Sequence, residues 1–199
     1  MAAAKSPQHY DFIIIGGGLS GLLIANALEL TGKRLVLIDE NESFGGHLRP
    51  FELNGIGLES CFGLIRSSAD EEKSLKWLEG QLEIPVLGPT IENAPLSFDS
   101  GQLKTFMGFG DRKFSSLEIL DLYNQSTFIQ LLSSPRQWIK ALTETFIGEQ
   151  LPLAVVTHIE ATGESIEVTL NGARTISSPR VIYTAAVRPL LKLLPEDQI

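Results

Sequence analysis

The chain has 199 residues, 43% of them hydrophobic and 20% charged, with a formal net charge of −8 at pH 7. That length and balance suit a globular protein with a substantial core, and the acidic surplus argues against nonspecific nucleic-acid binding, which needs Lys and Arg against phosphate. The single cysteine, Cys61, excludes an intrachain disulfide or thiolate zinc cluster, the histidines His9, His47 and His158 lack metal-ligand spacing, and no apolar run reaches bilayer length. The resulting expectation is a cytoplasmic protein with no metal and no transmembrane segment.

Ile13-Ile14-Ile15 is a β-branched run that needs burial on both faces, as in a central parallel strand. Gly16-Gly17-Gly18-Leu19-Ser20-Gly21 follows directly. Gly16 suits a tight turn, Gly18 lets the backbone approach a pyrophosphate, and Gly21 lets the next helix pack close to the strand. That helix is predicted from Leu19 to Leu30, carrying apolar Leu22, Leu23, Ala25, Ala27 and Leu28, with Thr31-Gly32 as its stop. Its first turn, at Leu19 and Ser20, offers backbone N–H groups and a partial positive charge to phosphates. Leu35-Val36-Leu37-Ile38 makes a second buried strand ending in Asp39, about twenty residues beyond Gly16, the spacing expected of the carboxylate that meets a ribose 2′-hydroxyl. Glu40 competes for that role. Either acid would repel a 2′-phosphate, which leaves FAD and NAD as ligands.

Farther along, Phe51 to Glu59 reads as two short strands around the Asn54-Gly55 turn. Ser68 to Glu71 has capping-box spacing and starts a helix with Leu75, Leu78 and Leu82 on one side, closed by Pro85. A hairpin is predicted around Asp99-Ser100-Gly101, then a glycine-spaced loop from Met107 to Gly110, then helices around Leu117 to Tyr123 and Ser126 to Leu132. Ser134-Pro135 provides an N-cap and first-turn proline for a helix from Arg136 to Phe146 with Trp138, Ile139, Leu142 and Phe146 as its buried stripe. Strands are predicted over Leu153 to Ile159, Ile166 to Leu170 and Arg180 to Ala186, turning at Thr162-Gly163 and Asn171-Gly172.

Strand, glycine turn, acid and then Gly45-Gly46, six and seven residues beyond Asp39, resemble the FAD-dependent amine oxidase superfamily of monoamine oxidases, protoporphyrinogen oxidases and carotenoid (phytoene) desaturases. The resemblance implies an α/β, Rossmann-like FAD/NAD(P)-binding fold with a parallel sheet, a β-meander and a partial substrate-domain insertion. It divides the chain into an FAD-binding βαβ segment (1–66), an inserted substrate-side segment (67–147) and returning strands (148–199). In the family the double glycine turns the backbone over the flavin pyrophosphate and an Arg commonly follows; here His47 holds that position and Arg49 stands two residues on. Val156 to Ile159 matches the strand that presents backbone to adenine, and Val181 to Ala186 matches the strand that rejoins the nucleotide-binding sheet. The implied cofactor is FAD, held by Gly16, Gly18, Leu19, Ser20, Gly21, Asp39, Glu40, Gly45, Gly46, His47, Val156 and Ala185. Cys61 stands where the family often has glycine, and is expected near the cofactor as a small residue rather than a nucleophile or flavin anchor.

No Ser-His-Asp or Cys-His constellation is present, so no catalytic side chain is assigned and any chemistry belongs to the cofactor. The resemblance implies oxidation of an amine or other small apolar substrate by hydride transfer to flavin. A dinucleotide-binding module without turnover and an NAD-dependent oxidoreductase are the alternatives. Phe106, Met107, Phe109, Tyr123 and Trp138 are candidates for an apolar substrate wall, although residues at such spacing more often form core. Family members continue beyond the last matched strand, so by the resemblance the sequence reads as a fragment, a truncated form or an unusually short relative. Leu190, Leu191 and Leu194, on one helical face, are expected to seek a further segment, a partner or a second copy in a homo-oligomer.

Overall fold

In the computed structural model, which describes residues 7–59, 64–92, 96–105 and 127–195, strand β1 (Gln8–His9) passes through Tyr10 into β2 (Phe12–Ile15). The glycine turn leads to α1 (Leu19–Glu29) and then β3 (Leu35–Ile38). A single 3-10 turn, Gly46–Leu48, precedes the hairpin of β4 (Phe51–Leu53) and β5 (Ile56–Leu58). Next come β6 (Leu64–Arg66), α2 (Ala69–Leu82), β7 (Leu87–Glu92), β8 (Leu96–Asp99), β9 (Gln102–Thr105) and β10 (Thr127–Leu131). The remaining elements are α3 (Pro135–Thr145), β11 (Glu149–Leu151), β12 (Val156–Thr162), β13 (Ser165–Leu170), β14 (Arg174–Ser178), β15 (Val181–Tyr183) and α4 (Val187–Leu193). Two units result, Met1–Cys61 with Pro135–Ile199, and Phe62–Ser134.

The first unit is built on a parallel sheet of order β11-β3-β2-β15, with Ile13 in register with both Val36 and Val181. Central strands in such a sheet are covered on both faces, which is why their sequences are aliphatic throughout. Ile13, Ile14, Val36, Leu37 and Ile38 are fully buried, each contributing about 1.5–3 kcal/mol of transfer free energy. One face packs Ile13, Ile15, Val36 and Ile38 against Ile159, Val168, Leu170 and Ile176 of a second sheet, β1-β14-β13-β12. Three strands of that second sheet, β12 to β14, form an antiparallel meander, and β1 joins β14 in parallel. On the parallel sheet, α1 packs on β2 and β3 and also against α3.

The second unit pairs β10 antiparallel between β6 and β7, packs α2 on β7, and includes the separate β8–β9 hairpin. Ser68 caps α2 by accepting from the Glu71 amide, and Leu75, Leu78 and Leu82 are its buried side. Both features follow the sequence pattern. The helix expected around Ser126 to Leu132 is instead β10. Phe128 and Ile129, adjacent in sequence, are both buried because a central strand is covered on two faces, and this removes the alternation that marks a strand.

Several other expectations change in detail. The strand predicted from Leu153 begins at Val156, because Leu153 sits at φ +57°, outside strand geometry. Trp138 is buried in the α3 stripe with Ile139 and Leu142, which makes it core in place of substrate wall. In α4 the packed residues are Leu190 and Leu193, followed by Leu194, all against the first unit's own core, while Leu191 is 49% exposed. The helix ends at Leu193 and Leu194 is extended, so the buried side differs from that of a continuous helix. Cys61, Phe106, Met107, Phe109, Tyr123, the loop from Met107 to Gly110 and the helix expected over 117–123 lie outside the described residues. Among the described residues no helix is long and apolar enough to cross a membrane.

Candidate dinucleotide site

The site lies where β2 meets α1. Gly16 takes φ +107°, open to glycine at little cost, and its amide donates to the Ile38 carbonyl at 2.8 Å. Thr184, just after β15, locks the turn from the other side: its hydroxyl donates to the carbonyls of Gly16 (2.9 Å) and Ile15 (3.1 Å). A Cβ on Gly16 would stand 2.7 Å from that hydroxyl and 2.9 Å from the Ala185 amide nitrogen. On Gly21 it would stand 1.8 Å from the Gly16 carbonyl oxygen, and on Gly17 it would stand 2.1 Å from the Phe44 ring.

Gly18 differs from all three. Its backbone is extended at φ −73° and ψ −178°, and the nearest atom to an added Cβ is the Gly46 Cα at 3.9 Å. Neither conformation nor packing inside the protein requires glycine there. Gly18 instead borders the start of α1, where Leu19 is half-buried and Ser20 exposed, and where the helix has no side-chain cap and no acidic residue in its first turn. An uncapped N-terminus beside a bare Cα is a place for an anion to approach backbone amides.

The double glycine closes over the same point. The Gly45 amide donates to the Gly17 carbonyl at 2.7 Å, Gly18 and Gly45 form an isolated parallel bridge, and Gly45 and Gly46 have φ of +127° and +54°. Arg49 folds back beneath them, its Nε donating to the Gly46 carbonyl at 3.3 Å, whereas His47 is exposed.

At the end of β3, Asp39 is only 8% exposed, and its Oδ2 accepts from the Gly17 amide at 2.7 Å. Oδ1 accepts from the Asn41 amide at 2.9 Å and from its Nδ2 at 2.8 Å. Glu40 is exposed. The Tyr183 phenol, which donates to the Ala186 carbonyl, is pushed above the usual tyrosine value first by burial and then by the charge of Glu40. Val156 opens β12 half-buried, with a register irregularity before His158, and Ala185 is exposed beside Gly16.

The structure therefore brings Gly16, Gly18, Leu19, Ser20, Gly21, Gly45, Gly46, Asp39 and Ala185 around one turn. Three contributors are additional to the sequence-derived set: Thr184, Phe44 and Asn41. Their roles arise from contacts across the fold or from a local side-chain turn, and only the last has a sequence signal, an Asx residue two positions after an acid. Among the described residues no group of His, Cys, Asp and Glu is arranged to hold a metal.

The fold and the turn define a dinucleotide-binding protein of the Rossmann type. A family model for NAD(P)-binding Rossmann-like domains matches residues 14–79. The chain is 26% identical over 119 residues to human all-trans-retinol 13,14-reductase, a match covering 57% of this chain and 19% of that protein. It is 31% identical over 111 residues to 4,4′-diaponeurosporene oxygenase of Staphylococcus haemolyticus, covering 56% and 19%. The matches thus span about a fifth of the length of these curated relatives. Among solved structures, putrescine oxidase bound to putrescine superposes with a TM-score of 0.67 at 16% identity, covering 96% of this chain and 62% of that one. A fatty acid isomerase from P. acnes gives a TM-score of 0.62 at 12% identity, covering 95% and 62%. Residues 14–79 are thus similar to NAD(P)-binding Rossmann-like domains, and the chain shares its fold with putrescine oxidase.

Proposed function

We propose that the chain binds FAD noncovalently at the glycine turn and forms the cofactor-binding part of an oxidoreductase that acts on a small apolar molecule or an amine. The observation that carries the reading is Gly18: a residue whose side chain is absent although the protein itself leaves room for one. The residues fit the group. A pyrophosphate set against Gly18 would meet the uncapped amides of α1 at Leu19 and Ser20, with Gly21 keeping the helix close and Gly45-Gly46 forming the opposite wall. The exposed Glu40, with Asp39 beside it, would stand at the ribose end, Val156 and Ala185 would border it, and exposed His47 would be a candidate contact for the phosphates.

When bound, FAD supplies an oxidised ring able to accept a hydride, and the protein contributes orientation and shielding from water. The relatives point to two substrate chemistries. Those matched in sequence are named for retinol and 4,4′-diaponeurosporene, whereas putrescine oxidase is matched in fold at 16% identity. The apolar substrate is accordingly favoured over the amine.

Purified protein reconstituted with FAD should retain yellow flavin through gel filtration and release it on denaturation. Gly18→Val should lose it, because the added side chain occupies the pyrophosphate's place. Full flavin retention by Gly18→Val would remove the assignment. Under anaerobic conditions, reoxidation of pre-reduced bound flavin by all-trans-retinol, or bleaching of oxidised bound flavin by putrescine, then separates the two substrate classes.

A further inference from the structure

The Asp39 carboxylate stands where spacing places a ribose acceptor, yet three donors of the protein already bind it: the Gly17 amide on one oxygen, and the Asn41 amide and Nδ2 on the other. A carboxylate has about four acceptor positions, so little capacity is left for a ligand. Gly17 is likewise occupied at both ends, its amide by Asp39 and its carbonyl by the Gly45 amide at 2.7 Å. These bonds form one line from Asn41 through Asp39 and Gly17 to Gly45.

We propose that Asn41 is a positioning residue of this site: it holds one Asp39 oxygen so that the other stays on the Gly17 amide, and Gly17 in turn sets the place of the double glycine. The backbone of Asn41 is anchored independently, because its carbonyl accepts from the Leu153 amide at 3.0 Å, and the Asp39 carbonyl accepts from the Ala154 amide at 3.0 Å. The loop after β11 therefore fixes the main chain at Asp39 and Asn41, while the Asn41 side chain fixes the direction of the carboxylate. One consequence concerns ligand binding: the Gly17 amide is not available to phosphate, which leaves that task to the first turn of α1. Only this consequence rests on the FAD reading; the hydrogen-bonded line stands without it.

Amide hydrogen exchange on the ligand-free protein tests the line directly. In Asn41→Ala the Asp39 oxygen loses the Nδ2 donor, and Gly17 amide protection should fall about tenfold, as one hydrogen bond to a charged acceptor dictates. Asn41→Asp places a second carboxylate beside Asp39, and protection should fall further. Amides of Ile14 and Leu37 should keep wild-type protection in both variants, and FAD dissociation constants should rise in the same order as Gly17 exchange. Unchanged Gly17 exchange in both variants would overturn the proposal. So would equal loss at Gly17, Ile14 and Leu37, which would make Asn41 a general stability residue. If wild-type protein binds no FAD, the functional reading fails, and the exchange order still decides the role of Asn41.

Discussion

Gly16, Gly17, Gly18 and Gly21 lack side chains for different physical reasons, and that difference is measurable. A methyl on Gly21 would collide with the Gly16 carbonyl oxygen at 1.8 Å, and that oxygen cannot move because Thr184 bonds it. Gly21→Ala should cost about 3 kcal/mol in urea unfolding, the upper part of the usual overpacking range. Gly18→Ala has extended backbone and no close neighbour, so its stability should stay within about 0.5 kcal/mol of wild type while FAD affinity falls. Equal destabilisation by the two variants would refute the distinction. The glycine spacing was legible in the sequence because a nucleotide turn needs backbone approach at fixed intervals. Thr184 and Phe44 were not legible as its supports. Thr184 reaches Gly16 across 168 residues, and nothing local to either residue encodes that meeting. Asp39 was legible as an acid at the strand end, but its engagement by Gly17 and Asn41 depends on which way one side chain turns.

Among the elements, α1 and α3 are joined by a polar contact inside an otherwise apolar packing. Asn26 Nδ2 donates to the Leu22 carbonyl of its own helix and to the Leu142 carbonyl of α3, both at 2.9 Å, and Thr145 donates back to Asn26 Oδ1 at 2.8 Å. Asn26→Ala removes all three bonds. It should lower stability by about 1–3 kcal/mol, the sum of three lost hydrogen bonds, with Thr145 keeping the Ala141 and Leu142 carbonyls as acceptors. Chemical denaturation with a Thr145→Ala partner variant should show coupling between the two positions, and strict additivity would count against a shared contact. The helices themselves were legible: α2 announces its start at Ser68, and α3 carries its N-terminal Pro135 and the stripe of Trp138, Ile139 and Leu142. The β4–β5 and β8–β9 hairpins follow from Asn54-Gly55 and Ser100-Gly101, both at positive φ. What failed was β10, whose strand character comes from β6 and β7 on either side. Short, polar β11 escaped notice for the same reason, being a strand only because β3 pairs with it in parallel.

At the scale of the whole molecule, acid and alkaline stability should be limited by one cluster that ties the starts of three strands together. Tyr10, 1% exposed at the crossing from β1 to β2, donates to Glu149 at the start of β11, and Arg174 at the start of β14 reaches the same carboxylate at 3.1 Å. Gln8 joins by donating to Glu149 at 2.9 Å and accepting from Arg174 at 2.8 Å, while the Arg34 guanidinium lies 5.0 Å from the Tyr10 ring centre. Burial alone would push the Glu149 carboxyl up, but the hydrogen bonds from Tyr10, Arg174 and Gln8, with the Arg174 charge, outweigh it and hold it below the ordinary 4.5. Its stabilisation is therefore present above pH 4.5 and lost as pH falls through the lower folded-state value. Tyr10 is shifted the other way, upward, by burial first and then by the bond to Glu149 and its charge. In the unfolded chain the phenol ionises near 10.0 while the folded one stays neutral, so its contribution is complete below pH 10.0 and lost above it. Thermal midpoints measured across pH should form a plateau with both edges drawn from this cluster. Glu149→Gln should flatten the acid edge and Tyr10→Phe the alkaline edge, each relative to its own plateau. If both variants keep the wild-type profile shape, the cluster does not govern the pH response; Tyr183, also shifted upward by burial and the Glu40 charge, is then the candidate for the alkaline edge.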